Sequence, residues 1–145
     1  MHADVRIARS DELELCFEIR KRVFVDEQEV SREEEFDGPD ASCVHFIARW
    51  NDRVVGTARL LTSRQQAKAQ RVAVLREARR AGFGRQLMFA LESEARAQGF
   101  ERVILHAQTR AVPFYEAIDY AAEGAVFFEA DIPHRFMTKP LAPLV

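Results

Sequence analysis

Between Arg71 and Leu87 the chain joins a strand end, a set of arginines and two glycines that open an apolar-periodic stretch. Arg76, Arg79, Arg80 and Arg85 gather positive charge around Gly82 and Gly84. Backbone N–H groups left unpaired at a helix start bind anions. Glycine leaves the approach free of a Cβ and reaches dihedrals closed to other residues, and guanidinium groups suit a polyanion such as a pyrophosphate. The segment therefore points to a phosphate-bearing ligand. Two other phosphate loops are excluded by their own requirements. A dinucleotide-binding turn needs a third small residue where Leu87 stands, and a P-loop needs Gly-Lys-Ser/Thr, which is absent.

Further polar residues stand where chemistry would need them. Arg20 falls on the apolar stripe of the first helix, formed by Leu13, Cys16, Phe17, Val23 and Phe24, and a cation there needs an anionic partner or a polar cleft. Arg20 and Arg71 suit an acidic group on a substrate, or else pair with loop carboxylates such as Glu27 and Glu35. From Asp26 to Asp40 the pattern dissolves into acidic residues, which reads as a solvated loop, some of whose members line a substrate cleft on the sharper reading. Gln108 either orients substrate or caps the next helix.

The elements that must position these residues follow from periodicity. Val5–Ala8 alternates as a strand, and Ser10 follows as a helix N-cap with Asp11 and Glu12 in the first turn. Strands are expected over 43–50, 54–61, 70–75, 103–107, 124–129 and 134–139, a long amphipathic helix over 84–98 stopped by Gly99, and a short helix over 112–118. Gly56 marks a bulge or a close backbone approach. The order is β-α-β-β-β-α-β-α-β-β, a mixed α/β layered fold. Phe127 and Phe128 are adjacent, so a strand sends them to opposite faces, one of them to a homodimer contact or a pocket wall.

The 145 residues suit one domain over 1–145. A net charge of −2 does not suit a nucleic-acid binder. No apolar run approaches the roughly 20 residues that cross a bilayer, and the N-terminal residues lack a signal-peptide core, so a cytoplasmic protein is expected. Cys16 and Cys43 read as apolar thiols, and the histidines have no metal-ligand spacing, so no metal is expected.

Arg79-Arg80-Ala81-Gly82-Phe83-Gly84 resembles the Arg/Gln-x-x-Gly-x-Gly/Ala signature of the GNAT acetyltransferases, and Pro113-Phe114-Tyr115-Glu116-Ala117-Ile118-Asp119-Tyr120 resembles their Phe-Tyr-x-x-x-Gly-Phe segment. Arg22–Gln28, His106-Ala107-Gln108 and Ile132-Pro133-His134 resemble the ElaA-like branch, and the tail around Pro133-His134 is similar to acetyltransferases that act on glyphosate-like amines. The resemblance implies an α/β fold with a mixed, mostly antiparallel sheet splayed at a cofactor cleft and flanked by helices. It implies acetyl-CoA as cosubstrate, its pyrophosphate on the N–H groups of Arg79, Arg80, Ala81, Gly82, Phe83 and Gly84 beside Arg85, and its pantetheine arm along Val72, Ala73 and Val74. One departure is Asp119, where the family has glycine in a left-handed turn; aspartate reaches that region at modest cost. Tyr120 replaces the usual Phe and needs a partner for its hydroxyl.

Acetyl transfer to a primary amine of a small molecule or peptide needs an acid for the departing thiolate, a base for the amine and a donor for the oxyanion. Tyr115 is the acid that the resemblance implies. His134 is the first choice of base, since imidazole titrates near neutral pH. His106, at the end of the strand beside the cleft, is next, followed by His45 and Glu27. The oxyanion donor expected is the N–H of Val74 or a neighbour. The alternative is a non-catalytic module of the same fold that senses acyl-CoA.

Overall fold

The computed structural model describes residues 3–143; residues 1–2 and 144–145, the ends of the 1–145 domain, lie outside the described residues. Seven strands form a single sheet: β1 (Ala3–Ile7), β2 (Val44–Trp50), β3 (Arg53–Thr62), β4 (Ala67–Val74), β5 (Arg102–Gln108), β6 (Ala121–Glu129) and β7 (Ile132–Pro140). Their order is β1-β2-β3-β4-β5-β7-β6, and every neighbouring pair is antiparallel except β4 with β5. Four α-helices, α1 (Leu13–Arg20), α2 (Arg32–Glu35), α3 (Phe83–Ala97) and α4 (Val112–Glu116), complete the mixed α/β arrangement. The expected order is present, with the added turn α2.

One face of the sheet is covered by α3. Its Leu87, Met88, Leu91 and Ala95 recur at helical spacing and are fully buried against Phe46, Ala48, Leu60 and Leu105. Gly82, at φ +87°, turns the chain into the helix, and Gly99, at φ +94°, ends it. The helix begins one residue earlier than its periodicity suggests, which puts Gly84 inside the first turn, where a Cβ would meet the Phe114 ring at 3.1 Å. Gly56 is a close approach, since a Cβ there would lie 3.1 Å from the Ala73 carbonyl and from Leu87. It also borders a bulge, because Ala48 pairs with Gly56 but Arg49 with Val54.

The other face is built differently. After α1 the backbone widens into a π-helical segment, Lys21–Glu27, and Gln28 N–H bonds the Val23 carbonyl five residues back at 3.1 Å. Ser10 does not cap; the start is held by Glu12, whose carboxylate accepts the Arg9 N–H at 2.8 Å and the Arg6 guanidinium at 2.7 and 2.9 Å. Arg6 holds the Glu12 carboxyl far below the usual carboxylate range.

The acidic stretch is not simply a solvated loop. Glu35 is 2% exposed. Arg20 gives it an Nε hydrogen bond at 2.8 Å and reaches Asp40 at 2.6 Å, while Arg59 from β3 reaches Asp40 at 2.8 Å and Asp37 at 3.4 Å. Arg71 joins Glu35 and Asp37, each at 3.1 Å. Three guanidinium groups and three carboxylates thus neutralise one another, as burial requires. Burial works against an ionised Asp40, but the hydrogen bonds from Arg20 and Arg59 outweigh it and hold the carboxyl below its ordinary range.

β4 carries the feature that opens the sheet. Thr57 pairs with Ala73 but Arg59 with Gln70, so Arg71 and Val72 together oppose Ala58. Arg71 sits at φ +55° in this bulge. Parallel pairing with β5 then runs only from Ala67/Val103 to Ala69/Leu105. Beyond that point β4 and β5 part.

Candidate active site

The gap between the parted strands is a cleft of about 930 Å³. One half is made mainly of backbone. Val72, Ala73 and Val74 line it with an edge of β4 that has no strand beside it. At its end stands the head of α3. Among the described residues, no hydrogen bond is donated by the backbone N–H groups of residues 80–85, and the first helical bond is Gln86 N–H to the Gly82 carbonyl at 3.1 Å. Arg80, at φ +66°, and Gly82 curl this run of amides into a turn. The Phe83 ring is buried against Trp50 at 5.7 Å between ring centroids, so only its backbone faces outward. Ala81, Gly82, Gly84 and Arg85 lie at the helix head outside the cleft wall proper, whereas Arg79 and Arg80 line it.

Arg79 does more than supply charge. Its Nε donates to the Val74 carbonyl at 2.9 Å, and its two terminal nitrogens hold Glu27 bidentately, each at 2.8 Å. Glu27 is thereby kept below the normal carboxylate range, by Arg79 first and against partial burial. The end of β4 is tied in this way to the π-helical segment across the cleft.

The other half is made of side chains. Tyr115 projects from α4 and is 8% exposed, with its ring edge-on to Phe114 and Tyr120 at 4.9 and 5.8 Å. Its hydroxyl lines the cleft side without a hydrogen-bond partner among the described residues, and burial pushes the phenol well above its ordinary range. It keeps its proton. Asp119 takes φ +76°, and the Tyr120 N–H closes the helix end on the Tyr115 carbonyl at 3.0 Å, so the turn survives without glycine. The Tyr120 hydroxyl finds its partner in Glu92 at 2.8 Å, which also holds Lys139 at 2.9 Å.

His134, on β7, is 8% exposed and stacks on Phe127 with centroids 6.0 Å apart. Its Nδ1 lies 2.7 Å from the Ile132 carbonyl, which can only accept, so Nδ1 carries the proton and Nε2 keeps a lone pair when the ring is neutral. His106, on β5, has Nδ1 at 2.6 Å from Glu129. Gln108 donates to Gln28 at 2.8 Å and accepts from Arg110 at 3.1 Å; it stands at the N-cap position of the turn over 109–111, but its side chain makes no capping bond.

The cleft thus brings together Glu27, Arg71, Val72, Ala73, Val74, Arg79, Arg80, His106, Gln108, Tyr115 and His134. Arg20 is not among them. It is 1% exposed, and its guanidinium is committed to Glu35 and Asp40, so it supports the wall behind the cleft instead of facing a substrate. Arg71 lines the cleft with its guanidinium turned to Glu34, Glu35 and Asp37. His45 is a core residue, its Nε2 at 2.9 Å from the Asp40 carbonyl and its ring edge-on to Phe17. Of the phenylalanine pair, Phe127 packs between the two histidines and Phe128 is 70% exposed.

Sequence reasoning missed Arg59, Lys68 and Glu129. Arg59 lies among Gly56, Ala58 and Leu60 in a strand, and its burial between apolar neighbours was the available signal. Lys68 lies in the expected loop before β4, and Glu129 meets His106 only because β6 returns beside β7.

The GNAT acetyltransferase domain family matches residues 12–141. The chain belongs to this family. A Bacillus subtilis relative, the uncharacterised N-acetyltransferase YjcF, is 38% identical over 135 residues, covering 92% of this chain and 96% of that one. Escherichia coli ElaA has the same fold at a TM-score of 0.80 and 27% identity, covering 95% of this chain and 98% of its own. An aminoglycoside 6′-N-acetyltransferase solved with coenzyme A shares the fold alone, with a TM-score of 0.77, 15% identity and coverage of 98% and 99%. In GNAT terms, the parted β4 and β5 and the helix head after Arg79 are the two structural marks seen here. No described helix is long and apolar enough to cross a membrane.

Proposed function

We propose that this protein transfers an acetyl group from acetyl-CoA directly to a primary amine of a small molecule or peptide. The observation that carries the reading is the run of unpaired amides at residues 80–85, which opens onto the free β4 edge of a cleft that also contains Tyr115 and His134. A diphosphate fits the first, because clustered N–H groups at a helix head and the nearby Arg79, Arg80 and Arg85 all favour anions. An extended amide-bearing arm fits the second, since a bare strand edge offers alternating donors and acceptors. The coenzyme A held by the aminoglycoside enzyme of the same fold supports the same occupant. Bound acetyl-CoA would supply an activated acyl group on a leaving thiol.

The chain's own groups have separable tasks. The amides at residues 80–85 anchor the polyanion, and the edge over Val72–Val74 aligns the arm, with an N–H in that stretch available to a developing oxyanion. Nε2 of His134 accepts a proton from the acceptor nitrogen. Tyr115 keeps its proton because it is buried and donates it to the departing sulfur. A sensor that merely bound acyl-CoA would have no use for a neutral, unengaged phenol in that position, which favours the enzyme. Arg71 and Glu27 border the acceptor end, where they would contact substrate if their ion pairs opened. The expected metal-free, cytoplasmic action on a soluble amine, without nucleic acid or membrane, belongs to this same proposal, as does a homodimer using the exposed Phe128.

Thiol release from acetyl-CoA, followed with spermidine, lysine, other amino acids and dipeptides as acceptors, tests the reading. Turnover with at least one amine is expected. Binding of acetyl-CoA without thiol release from any of them would favour the sensor, and absence of binding would remove both.

A further inference from the structure

The acceptor half holds two histidines with the same internal arrangement. The residues of β5, β7 and β6 that face away from α3 meet in register: His106 opposite Phe136, Gln108 opposite His134, and His134 opposite Phe127. Phe127 therefore stands between the imidazoles, edge-on to His106 at 5.0 Å and stacked with His134 at 6.0 Å. Each ring has its Nδ1 occupied, His134 by the Ile132 carbonyl at 2.7 Å and His106 by the Glu129 carboxylate at 2.6 Å. In both, Nε2 has no partner among the described residues, and both residues line the cleft. A carboxylate can only accept, so it selects the Nδ1–H form of His106 and leaves the Nε2 lone pair available.

The chemistry calls for two such acceptors. An amine free in water near neutral pH is mostly an ammonium and has no lone pair. Becoming an amide costs it two N–H protons, the first before attack and the second as the C–N bond forms. One imidazole holds only one of them. We infer that Glu129 is a positioning residue that fixes His106 as a second proton acceptor, so that His106 and His134 take between them the two protons an ammonium substrate loses. The inference rests on the acetyltransferase reading above.

The balance closes. Nε2 of His106 takes the first proton from R–NH3⁺. The amine lone pair forms the C–N bond to the acetyl carbon while the C–S bond breaks, and Nε2 of His134 takes the second proton. The sulfur leaves with the Tyr115 proton. The phenol is restored from one imidazolium through water, the other imidazolium loses its proton to solvent, and the net release is one proton per turnover.

The charged groups around His106 are compatible with this role. On its face of the sheet they include Lys68 on β4, Arg102 on β5, Glu123 and Glu129 on β6 and His134 on β7, with Arg110 in the turn after β5. α3 and α4 pack on the opposite face, against Val103, Leu105 and Ala107, and bring no charge to it. Among the described residues, only Glu129 touches the ring at hydrogen-bond distance. Glu129 is about half exposed, so its replacement leaves the fold intact.

The test uses Glu129→Gln and Glu129→Asp in the full chain, with acetyl-CoA and whichever of spermidine, lysine and glycylglycine the wild type turns over fastest. For Glu129→Gln, kcat/KM for the amine falls about tenfold, less than the roughly 10²–10⁴-fold of a whole proton transfer because His106 itself remains. The affinity for acetyl-CoA, measured by calorimetry, stays unchanged, and Glu129→Asp recovers part of the rate. Independently of turnover, long-range ¹H–¹⁵N spectra of the histidine rings show His106 as the Nδ1–H form in the wild type and as a tautomer mixture in Glu129→Gln. A wild-type rate in Glu129→Gln, or a His106 tautomer that does not respond, would overturn the inference. If the wild type releases no thiol with any of the three amines, the functional reading is what fails, and the ring spectra still decide whether Glu129 fixes His106.

Discussion

The two halves of the cleft are made of different materials. The half beside α3 consists of main chain: an uncovered stretch of β4 and amides at residues 80–85 that no group among the described residues has taken. The half beyond it consists of side chains gathered from the π-helical segment, the acidic stretch, β4, β5, α4, β6 and β7, many of them already hydrogen-bonded to one another. Main chain recognises what every ligand of one class shares, and in this protein the proposed constant partner is the phosphate-bearing donor. Side chains recognise what differs, which is the acceptor. The comparison also separates stability from binding. Removing a glycine from the first half disturbs a ligand, whereas removing a buried charge from the wall behind the second disturbs the fold.

That contrast can be broken most forcefully at Arg59. Arg59→Met leaves Asp37, Asp40 and Gln70 without their buried partner, and a loss of about 3–5 kcal/mol in urea unfolding is expected. A loss under about 1 kcal/mol would mean that the ionic cluster is not what holds the acidic wall. Next is Tyr115→Phe. It should lower kcat by about 10²-fold with little change in KM for acetyl-CoA, and the melting temperature should hold, since the hydroxyl has no hydrogen-bond partner among the described residues. An unchanged kcat removes Tyr115 from the chemistry.

Acid should act on the buried ion pairs, in the wall behind the second half and at the start of α1, and not on the main-chain half. The folded-state carboxyls of Asp40 and Glu12 lie below their ordinary range. Their stabilisation is therefore complete above the ordinary carboxylate range and disappears as pH falls through it towards the folded values. The urea midpoint should decline between pH 6 and roughly pH 3, and Glu12→Gln should flatten the decline; a pH-independent midpoint contradicts the assignment. The sharpest test of the first half is Gly82→Ala, which places a Cβ at φ +87° at a cost of about 1–2 kcal/mol. KM for acetyl-CoA should rise up to about tenfold while KM for the amine stays level. Smallest of all is Glu27→Gln. The Glu27–Arg79 pair is partly solvated, so its loss should change stability by less than about 1 kcal/mol.

The same contrast governs what could be read from the chain. Gly82, Gly84 and the arginines before α3 are contiguous, and their chemistry is local, so the helix head was legible from spacing alone. The left-handed turn at Asp119 and the need of Tyr120 for a partner were legible for the same reason, although Glu92 as that partner was not. The wall was half legible: pairing of Arg20 and Arg71 with a carboxylate such as Glu35 was one of two readings, but Arg59, Asp37 and Asp40 join them only after separate elements fold together. Arg20 was recognised as a cation in need of an anion, but the choice between a substrate and Glu35 depends on tertiary placement. The π-helical segment was also hidden, since α-helical spacing gives no hint of an i→i−5 bond at Gln28. Glu129 was missed because nothing in its own neighbourhood mentions His106.

The central claim is that the main-chain half holds a diphosphate. Calorimetry comparing acetyl-CoA with acetyl-pantetheine, which has the same thioester and arm without the diphosphate, tests it most directly. Acetyl-CoA should bind one per chain, and acetyl-pantetheine at least about 100-fold more weakly, a difference of roughly 2.7 kcal/mol. Equal affinity for the two, or no heat from acetyl-CoA at millimolar concentration, would contradict it.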